Sequence, residues 1–327
     1  MVDIQVASHL RSRRLFLFLL AATIVIVLLM MHPWFLDSWF LRRSRPTYGA
    51  WGAPVVWDDT VDYDKAKRQF PKKSVTVGLI TVATGKYFEY VHDFLKTAEE
   101  RFMPTQKVTY FVFTDGSKKV PELPLKKNRA VSVISLKENL SKDAQMTKME
   151  MINKLVLRKN ENLNYVFCMN IDSKFVGKFG VEAVDDLVGT LHPGFYWKNR
   201  FSFPYETNAE SKAYVAPTEG EMYFTGGLFG GSRDSILKLT ETCAKNRAED
   251  EKSGVEAAWH DEGYLNRYFV DHAPTRILSP EYCFPEDYWY MPWVKYKRVV
   301  AGLKDLSGGH DTLYSNTTMA KTIATNK

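Results

Sequence analysis

The sequence predicts an α/β fold with a mainly parallel central sheet flanked by helices. Charge-free runs rich in β-branched and aromatic residues alternate along the chain with stretches whose apolar residues recur at helical spacing, as strands joined by crossover helices do. The runs are continuous rather than alternating, which suits strands buried on both faces. The chain has 327 residues, 45% of them hydrophobic and 14% aromatic, enough to bury a large core.

The elements follow in order. "LFLFLLAATIVIVLLMM", Leu15 to Met31, is an unbroken apolar run long enough to cross a bilayer as a helix. No small-x-small cleavage site follows it, so it reads as a signal anchor rather than a removed signal peptide. Arg11, Arg13 and Arg14 precede it, which keeps the short tail cytosolic by the positive-inside rule and sends the remainder to a lumen or the exterior. The expected organisation is a tail over 1–14, a transmembrane anchor over 15–35, a stem over 36–70 and a folded domain over 71–327. Two N-x-S/T sequons, at Asn139 and Asn316, fit the lumenal side.

"SVTVGLITVA" (74–83) reads as a buried strand. In the stretch 86–103, Phe88, Val91, Phe94, Leu95, Ala98 and Phe102 share a helical face. Residues 107–115 and 130–136 are two more strands, and 143–159, carrying Met146, Met149, Ile152 and Leu155, another helix. "YVFCMNID" (165–172) is then a strand that ends on an amide and a carboxylate. Of the three cysteines, Cys168 in that strand reads as a small core residue, which leaves at most one disulfide. The net charge of +6 is scattered rather than gathered in stripes, which argues against nucleic acid as a partner.

Four stretches carry candidate chemistry. In parallel sheets ligands sit outside the carboxyl ends of the strands, so Asn170 and Asp172 point into a crevice. Oxygen donors at i and i+2 can reach one hard divalent cation and through it a diphosphate; the alternative is a turn in which both side chains bond their own backbone. In "SGVEAAWHDEGYLNRYF" (253–269) Ser253 and Glu256 form an S-x-x-E capping box, from which a helix is expected to start. Glu262 then shares a face with Ala258, Leu265 and Phe269. A carboxylate there needs a partner or a pocket: either an ion pair with Arg267 or Lys148, or a catalytic role.

"YFTGGLFGGS" (223–232) brackets Leu228 and Phe229 with two glycine pairs, giving either a bulged strand or a pocket floor. "TLHPGFYWKNRFSFPYE" (190–206) sets His192 among aromatics, which suit sugar rings, although a lone histidine before a turn is commonly structural. There is no zinc-site spacing and no G-x-S-x-G nucleophile elbow.

Together with "TVGLITVATGKY", "FLKTAEERFM", "FVFTD", "KMEMI", "FGVE" and "SPEYC", these stretches resemble the family 6 glycosyltransferases over nearly all of the chain from Trp51 to Cys283. The family includes the histo-blood group ABO transferases, to which the likeness is greatest through "TLHPGFY" and the glycine pairs, the α-1,3-galactosyltransferases and the Forssman synthase. The resemblance implies a glycosyltransferase A fold in a single-pass type II Golgi membrane protein. It also implies retaining α-1,3 transfer of GalNAc or Gal from the UDP-sugar to a glycan acceptor ending in a β-galactoside. By position, Val82, Ala83, Thr84 and Tyr87 fall on the segment for uracil and ribose. Asn170, Ile171 and Asp172 fall on the D-x-D that holds manganese and the diphosphate, Asn170 and Asp172 being the metal ligands. Lys148 falls on a basic donor-site position and Thr225, Gly226 and Gly227 on the donor-selecting positions, where Gly227 leaves room for an N-acetyl group and favours GalNAc. Glu262 falls on the carboxylate facing the anomeric carbon, with His192, Pro204 and Trp259 on the acceptor side.

Three features depart from the pattern. Asn170 replaces the first aspartate, Pro204 stands at a threonine position with "CFPED" in place of "LWD", and the basic C-terminal tail is matched by Lys304 alone. A non-catalytic relative that binds UDP-sugar or carbohydrate is the alternative function that Asn170 leaves open, and the intact "WHDE" favours turnover.

Overall fold

A computed structural model describes residues 16–28, 45–116, 118–136, 147–288 and 291–302. The chain divides into two compact units, residues 1–44 with 197–199 and residues 45–196 with 200–327. In the first unit the described segment is a helix, α1, over residues 16–28. Its one polar side chain, Thr23, bonds back to the Leu19 carbonyl at 2.8 Å, so the helix surface stays apolar. No helix among the described residues is long and apolar enough to cross a membrane. Leu15 and residues 29–35 of the expected anchor lie outside them, as do both sequons and Lys304.

The second unit is an eight-stranded sheet in the order β1 (Val55–Val56), β9 (Arg276–Leu278), β7 (Leu187–Leu191), β8 (Phe224–Ser232), β5 (Tyr165–Met169), β2 (Thr76–Ala83), β3 (Lys107–Thr114), β4 (Arg129–Ser135). Every neighbouring pair is parallel except the two made by β8, so the mainly parallel sheet is as expected. Helices α2 (Tyr63–Gln69), α3 (Val91–Arg101), α4 (Lys148–Met151), α5 (Arg233–Lys252) and α6 (His260–Asp271) join and flank the strands. A second sheet sets β11 (Val299–Ala301) between β10 (Phe284–Pro285) and β6 (Ser173–Phe175). The main core packs α3 against β2, β3 and an aromatic group of Phe102, Phe167, Phe175 and Phe179 in edge-to-face contacts.

Three expectations need correction. Residues 45–70, read as stem, belong to the folded unit: β1 extends the sheet and Trp57 is fully buried with its indole N–H on the Pro46 carbonyl. Arg298 clasps the same segment from the far end of the chain, donating to Asp58 and Tyr63 while its backbone N–H bonds the Glu281 carbonyl at 2.7 Å. Ser253 ends a helix rather than starting one. It caps the carboxyl end of α5, Gly254 follows at φ 70°, and the next helix begins at His260, so α5 outcompetes the local S-x-x-E signal. The helix expected over 143–159 is described from α4 onward and widens into a π turn over Ile152–Val156. There the buried Asn153 amide donates to the Leu237 carbonyl (3.0 Å) and Thr240 Oγ1 (3.1 Å) of α5.

All three cysteines are buried free thiols. The second glycine pair is structural: a Cβ at Gly230 would lie 2.5 Å from the Phe167 ring, and one at Gly231 would lie 2.2 Å from the Asp186 carbonyl.

Candidate active site

Because β2 and β5 are parallel neighbours, their carboxyl ends open side by side. The cavity there is lined by Val82, Tyr87, Lys148, Asn170, Ile171 and Asp172, which brings together three sequence segments picked out as one donor site. Ala83 and Thr84 stand on the same strand end but do not line it. Asn170 continues β5 by giving its backbone N–H to the Gly227 carbonyl at 3.0 Å, so it is held by the sheet rather than by a turn of its own. Asp172 is 4% exposed, and burial pushes its carboxyl up to about 6 against its own backbone N–H and the charge of Lys148.

The first glycine pair links the residues of this cavity to Glu262, since the Gly227 carbonyl holds Asn170 while Gly226 meets both Lys148 and Glu262. Gly226 donates its N–H to Glu262 Oε2 at 2.7 Å, and its carbonyl accepts from Lys148 Nζ at 3.4 Å. A Cβ on Gly226 would sit 3.4 to 3.7 Å from Glu262, ordinary van der Waals contact, so the carboxylate lies directly over this strand position. Thr225 Oγ1 accepts from the Gly227 N–H at 3.0 Å and locks the same turn of strand.

Glu262 lies in the first turn of α6, where its backbone N–H bonds the Trp259 carbonyl at 3.0 Å. Burial pushes its carboxyl up to about 7, while the Gly226 N–H, Tyr223 and Lys148 pull it down. Arg267, an expected ion-pair partner, instead pairs with Glu219 (2.8 Å) and Asp271. Glu262 therefore has no arginine partner but feels the charge of Lys148, and its second oxygen, Oε1, is 4.0 Å from His192 Nε2. His192 Nδ1 accepts the Gly194 N–H at 3.0 Å, which leaves the proton on Nε2, and burial lowers the ring to about 3. A neutral imidazole donor thus faces the catalytic candidate.

His192 packs against Phe195 and Tyr223, and Phe203 and Tyr205 back Tyr223 in turn. Pro204 is half-buried between Phe203 and Tyr205, and Trp259 is half-buried at the start of α6.

Three functional residues were missed from sequence. Asn266, one helical turn after Glu262 and 1% exposed, accepts the Phe224 N–H (2.9 Å) and donates to the carbonyls of Phe224 (2.8 Å) and Glu262 (2.9 Å). It fastens α6 to β8 and so sets the Glu262–Gly226 contact. An amide at i+4 on the apolar face was the available signal. Glu206 Oε2 accepts the Ala258 N–H at 2.8 Å, tying the aromatic loop to the segment before Trp259. Asp261 is buried, its Oδ2 has no hydrogen-bond partner among the described residues, and burial pushes it up to about 6 against the charges of Lys148 and Arg247. His260 before it takes a φ of 42°, an outlier of the kind that gathers at functional sites.

Asn266→Leu is expected to lower kcat about 100-fold with a smaller change in KM for the donor, since it releases the helix that aims Glu262. Steady-state kinetics alongside a thermal melt check this, and a loss confined to melting temperature would refute the positioning role.

Asp172, Asp261 and Glu262 share a consequence for stability. Each titrates near 4 when unfolded and near 6 to 7 when folded, so between those values the native state holds the extra proton and stability falls with rising pH. Each group contributes a loss on the order of 3 kcal/mol across that window. The ligand-free protein is expected to melt at lower temperature at pH 7.5 than at pH 5, with Glu262→Gln flattening the trend. A pH series of thermal melts that rises through that range would contradict the assignment.

A family model described as glycosyltransferase family 6 matches residues 34–307. The chain is 40% identical to the histo-blood group ABO system transferase 1 of Rattus norvegicus over 248 residues, covering 75% of this chain and 71% of that one. It is 38% identical to the alpha-1,3-galactosyltransferase 2 of Homo sapiens, over 79% of this chain and 75% of that one. To the globoside alpha-1,3-N-acetylgalactosaminyltransferase 1 of Gallus gallus it is 35% identical, over 75% and 72%.

Proposed function

The chain belongs to glycosyltransferase family 6, and from that premise we propose that it moves GalNAc, or else Gal, from the UDP-sugar in α-1,3 linkage to a β-galactoside, with retention. We place it in the Golgi membrane as a type II protein with the glycosyltransferase A domain lumenal, a reading supported by the apolar run at Leu15–Met31. The observation that carries the catalytic reading is the Glu262–Gly226 contact, which holds a carboxylate on the strand segment whose carbonyl meets the cavity-lining Lys148, with Oε1 4.0 Å from the neutral His192.

Retention needs a group beneath the sugar ring that attacks the anomeric carbon or stabilises its oxocarbenium charge, as in retaining glycosidases. Glu262 Oε1 supplies it once the carboxyl is ionised. The charge of Lys148 acts on Asp172, Asp261 and Glu262 alike, and it balances negative charge as the diphosphate departs. His192 Nε2–H, with Phe195 and Tyr223 against its ring, orients the acceptor. Gly227, which falls on the family's donor-selecting positions, favours GalNAc because it brings no side chain of its own.

A divalent cation, expected to be manganese, fits the donor set. Asn170 and Asp172 offer two hard oxygens, and no group of three His, Cys, Asp or Glu side chains among the described residues would hold a metal without substrate. Such a site is completed by diphosphate oxygens and water. When bound, the cation neutralises charge on the leaving UDP.

The test is incubation with UDP-GalNAc or UDP-Gal, lactose and manganese. Transfer that is faster with UDP-GalNAc supports the reading. Donor binding without transfer or hydrolysis would favour the non-catalytic relative instead.

A further inference from the structure

The three acceptor-side residues come from separate segments: His192 follows β7, Pro204 lies in the long connection from β7 to β8, and Trp259 precedes α6. Two carboxylates hold that connection to the helix. Glu206, two residues after Pro204, reaches with Oε2 to the N–H of Ala258, the residue before Trp259, at 2.8 Å. Its Oε1 accepts the Asn208 N–H at 2.7 Å and its backbone carbonyl the Val215 N–H at 3.0 Å, so both the side chain and its base are fixed. Asp250, in the last turn of α5, accepts the Ser211 hydroxyl at 2.7 Å, the Lys212 N–H at 2.9 Å and the hydroxyl of Tyr264 on α6 at 2.9 Å. Glu206 is 7% exposed and Asp250 1%. Neither has an ion pair among the described residues, the basic groups on the same segments being engaged elsewhere: Lys212 with Glu249, Arg247 with Glu251 and Arg267 with Glu219. Loop and helix also touch directly, since a Cβ on Gly263 would lie 3.5 Å from that of Ala213 and Arg267 donates to the Tyr214 carbonyl at 3.1 Å.

We propose that Glu206 and Asp250 are positioning residues that set the gap between Pro204 and Trp259 and thereby how tightly an acceptor sugar is held. The inference rests on the reading of His192, Pro204 and Trp259 as the acceptor side. A buried carboxylate without a cation is tolerated only when directed N–H and O–H groups satisfy it, and such bonds fix a distance as well as a charge. Glu206 spans from one wall of the gap to the other. The donor side is held independently, with Glu262 on the Gly226 N–H and Asn266 on Phe224 of β8. Loosening Glu206 therefore widens the acceptor gap and leaves Glu262 in place. Asp250 reaches Tyr264, two residues after Glu262, so its loss spreads to the catalytic helix as well.

Glu206→Gln tests this in the full chain, because the amide keeps the size of the side chain but offers one acceptor oxygen to two N–H groups. Its KM for lactose, and its lactose affinity when loaded with UDP, read by NMR titration, are expected to worsen about tenfold, while hydrolysis of UDP-GalNAc without acceptor changes less than about twofold. Ser211→Ala removes one bond to Asp250, leaves Tyr264 in place, and is expected to weaken lactose in the same way by about threefold. Unchanged lactose affinity in both variants would overturn the inference. So would transfer and hydrolysis that fall together with the melting temperature, the mark of a merely structural role. A wild type that binds lactose without transferring it would refute the catalytic reading alone, since the affinities still decide the gap. A wild type that binds no lactose would overturn the inference together with the acceptor reading beneath it.

Discussion

Glu262→Gln is expected to reduce kcat for transfer by at least about 10³-fold while the protein stays folded. The amide keeps the size of the side chain and can still accept the Gly226 N–H, so the contact between β8 and α6 is preserved. It removes the negative charge that meets the anomeric carbon. The pH dependence gives an independent reading of the same group. With the carboxyl near 7, the active form is the ionised one, so kcat/KM for the wild type is expected to fall tenfold per pH unit below that value. Residual activity in the variant should lack this limb. Transfer and donor hydrolysis, each measured across pH with wild type and variant, decide the matter. Undiminished turnover in Glu262→Gln would strip the residue of its role.

The second large effect is expected at the strand end, where Asp172→Asn should lower kcat/KM for the donor by about 100-fold and abolish stimulation by manganese. That change leaves two neutral amides where one buried carboxylate had supplied the charge. Asn170→Asp works in the opposite direction. It adds a second carboxylate to the pair and is expected to tighten manganese binding about tenfold and make activity depend on it more steeply. The reciprocal pair separates a metal-binding role from a merely structural one, because both side chains stand at the end of one strand while their substitutions should shift manganese dependence in opposite senses. Activity of the Asp172 variant titrated with manganese is the deciding measurement, and an unchanged response would remove Asp172 from the proposed ligand set.

Much of this was legible from local pattern. Continuous β-branched runs marked β2 and β3 to within two residues, since strands buried on both faces have no polar side to obscure them. Glu262 stood out as a charge on an apolar helical face, and Asn170 and Asp172 as polar groups leaving a buried strand. Local pattern misled at Ser253, where a capping signal lost to the longer helix before it, and at residues 45–70, whose irregular composition hid a strand of only two residues, β1.

Layer architecture, the order of the site segments and the residue types at the site could be read along the chain, because periodicity and side-chain chemistry are local properties. Which of those residues meet, and in what surroundings, follows from the fold. It split two similar glycine pairs into a packing contact with the Phe167 ring at Gly230 and a carboxylate contact at Gly226, because a neighbouring strand faces the first and a helix the second. It sent Arg267 to Glu219 and Asp271 and left Glu262 to the Gly226 N–H and the charge of Lys148. It also set the proton affinities of Asp172, Asp261 and Glu262, which depend on burial and on a lysine 24 to 114 residues away along the chain. Such properties arise from what meets across strands and helices, and the electrostatics of a pocket exist only once its walls have come together.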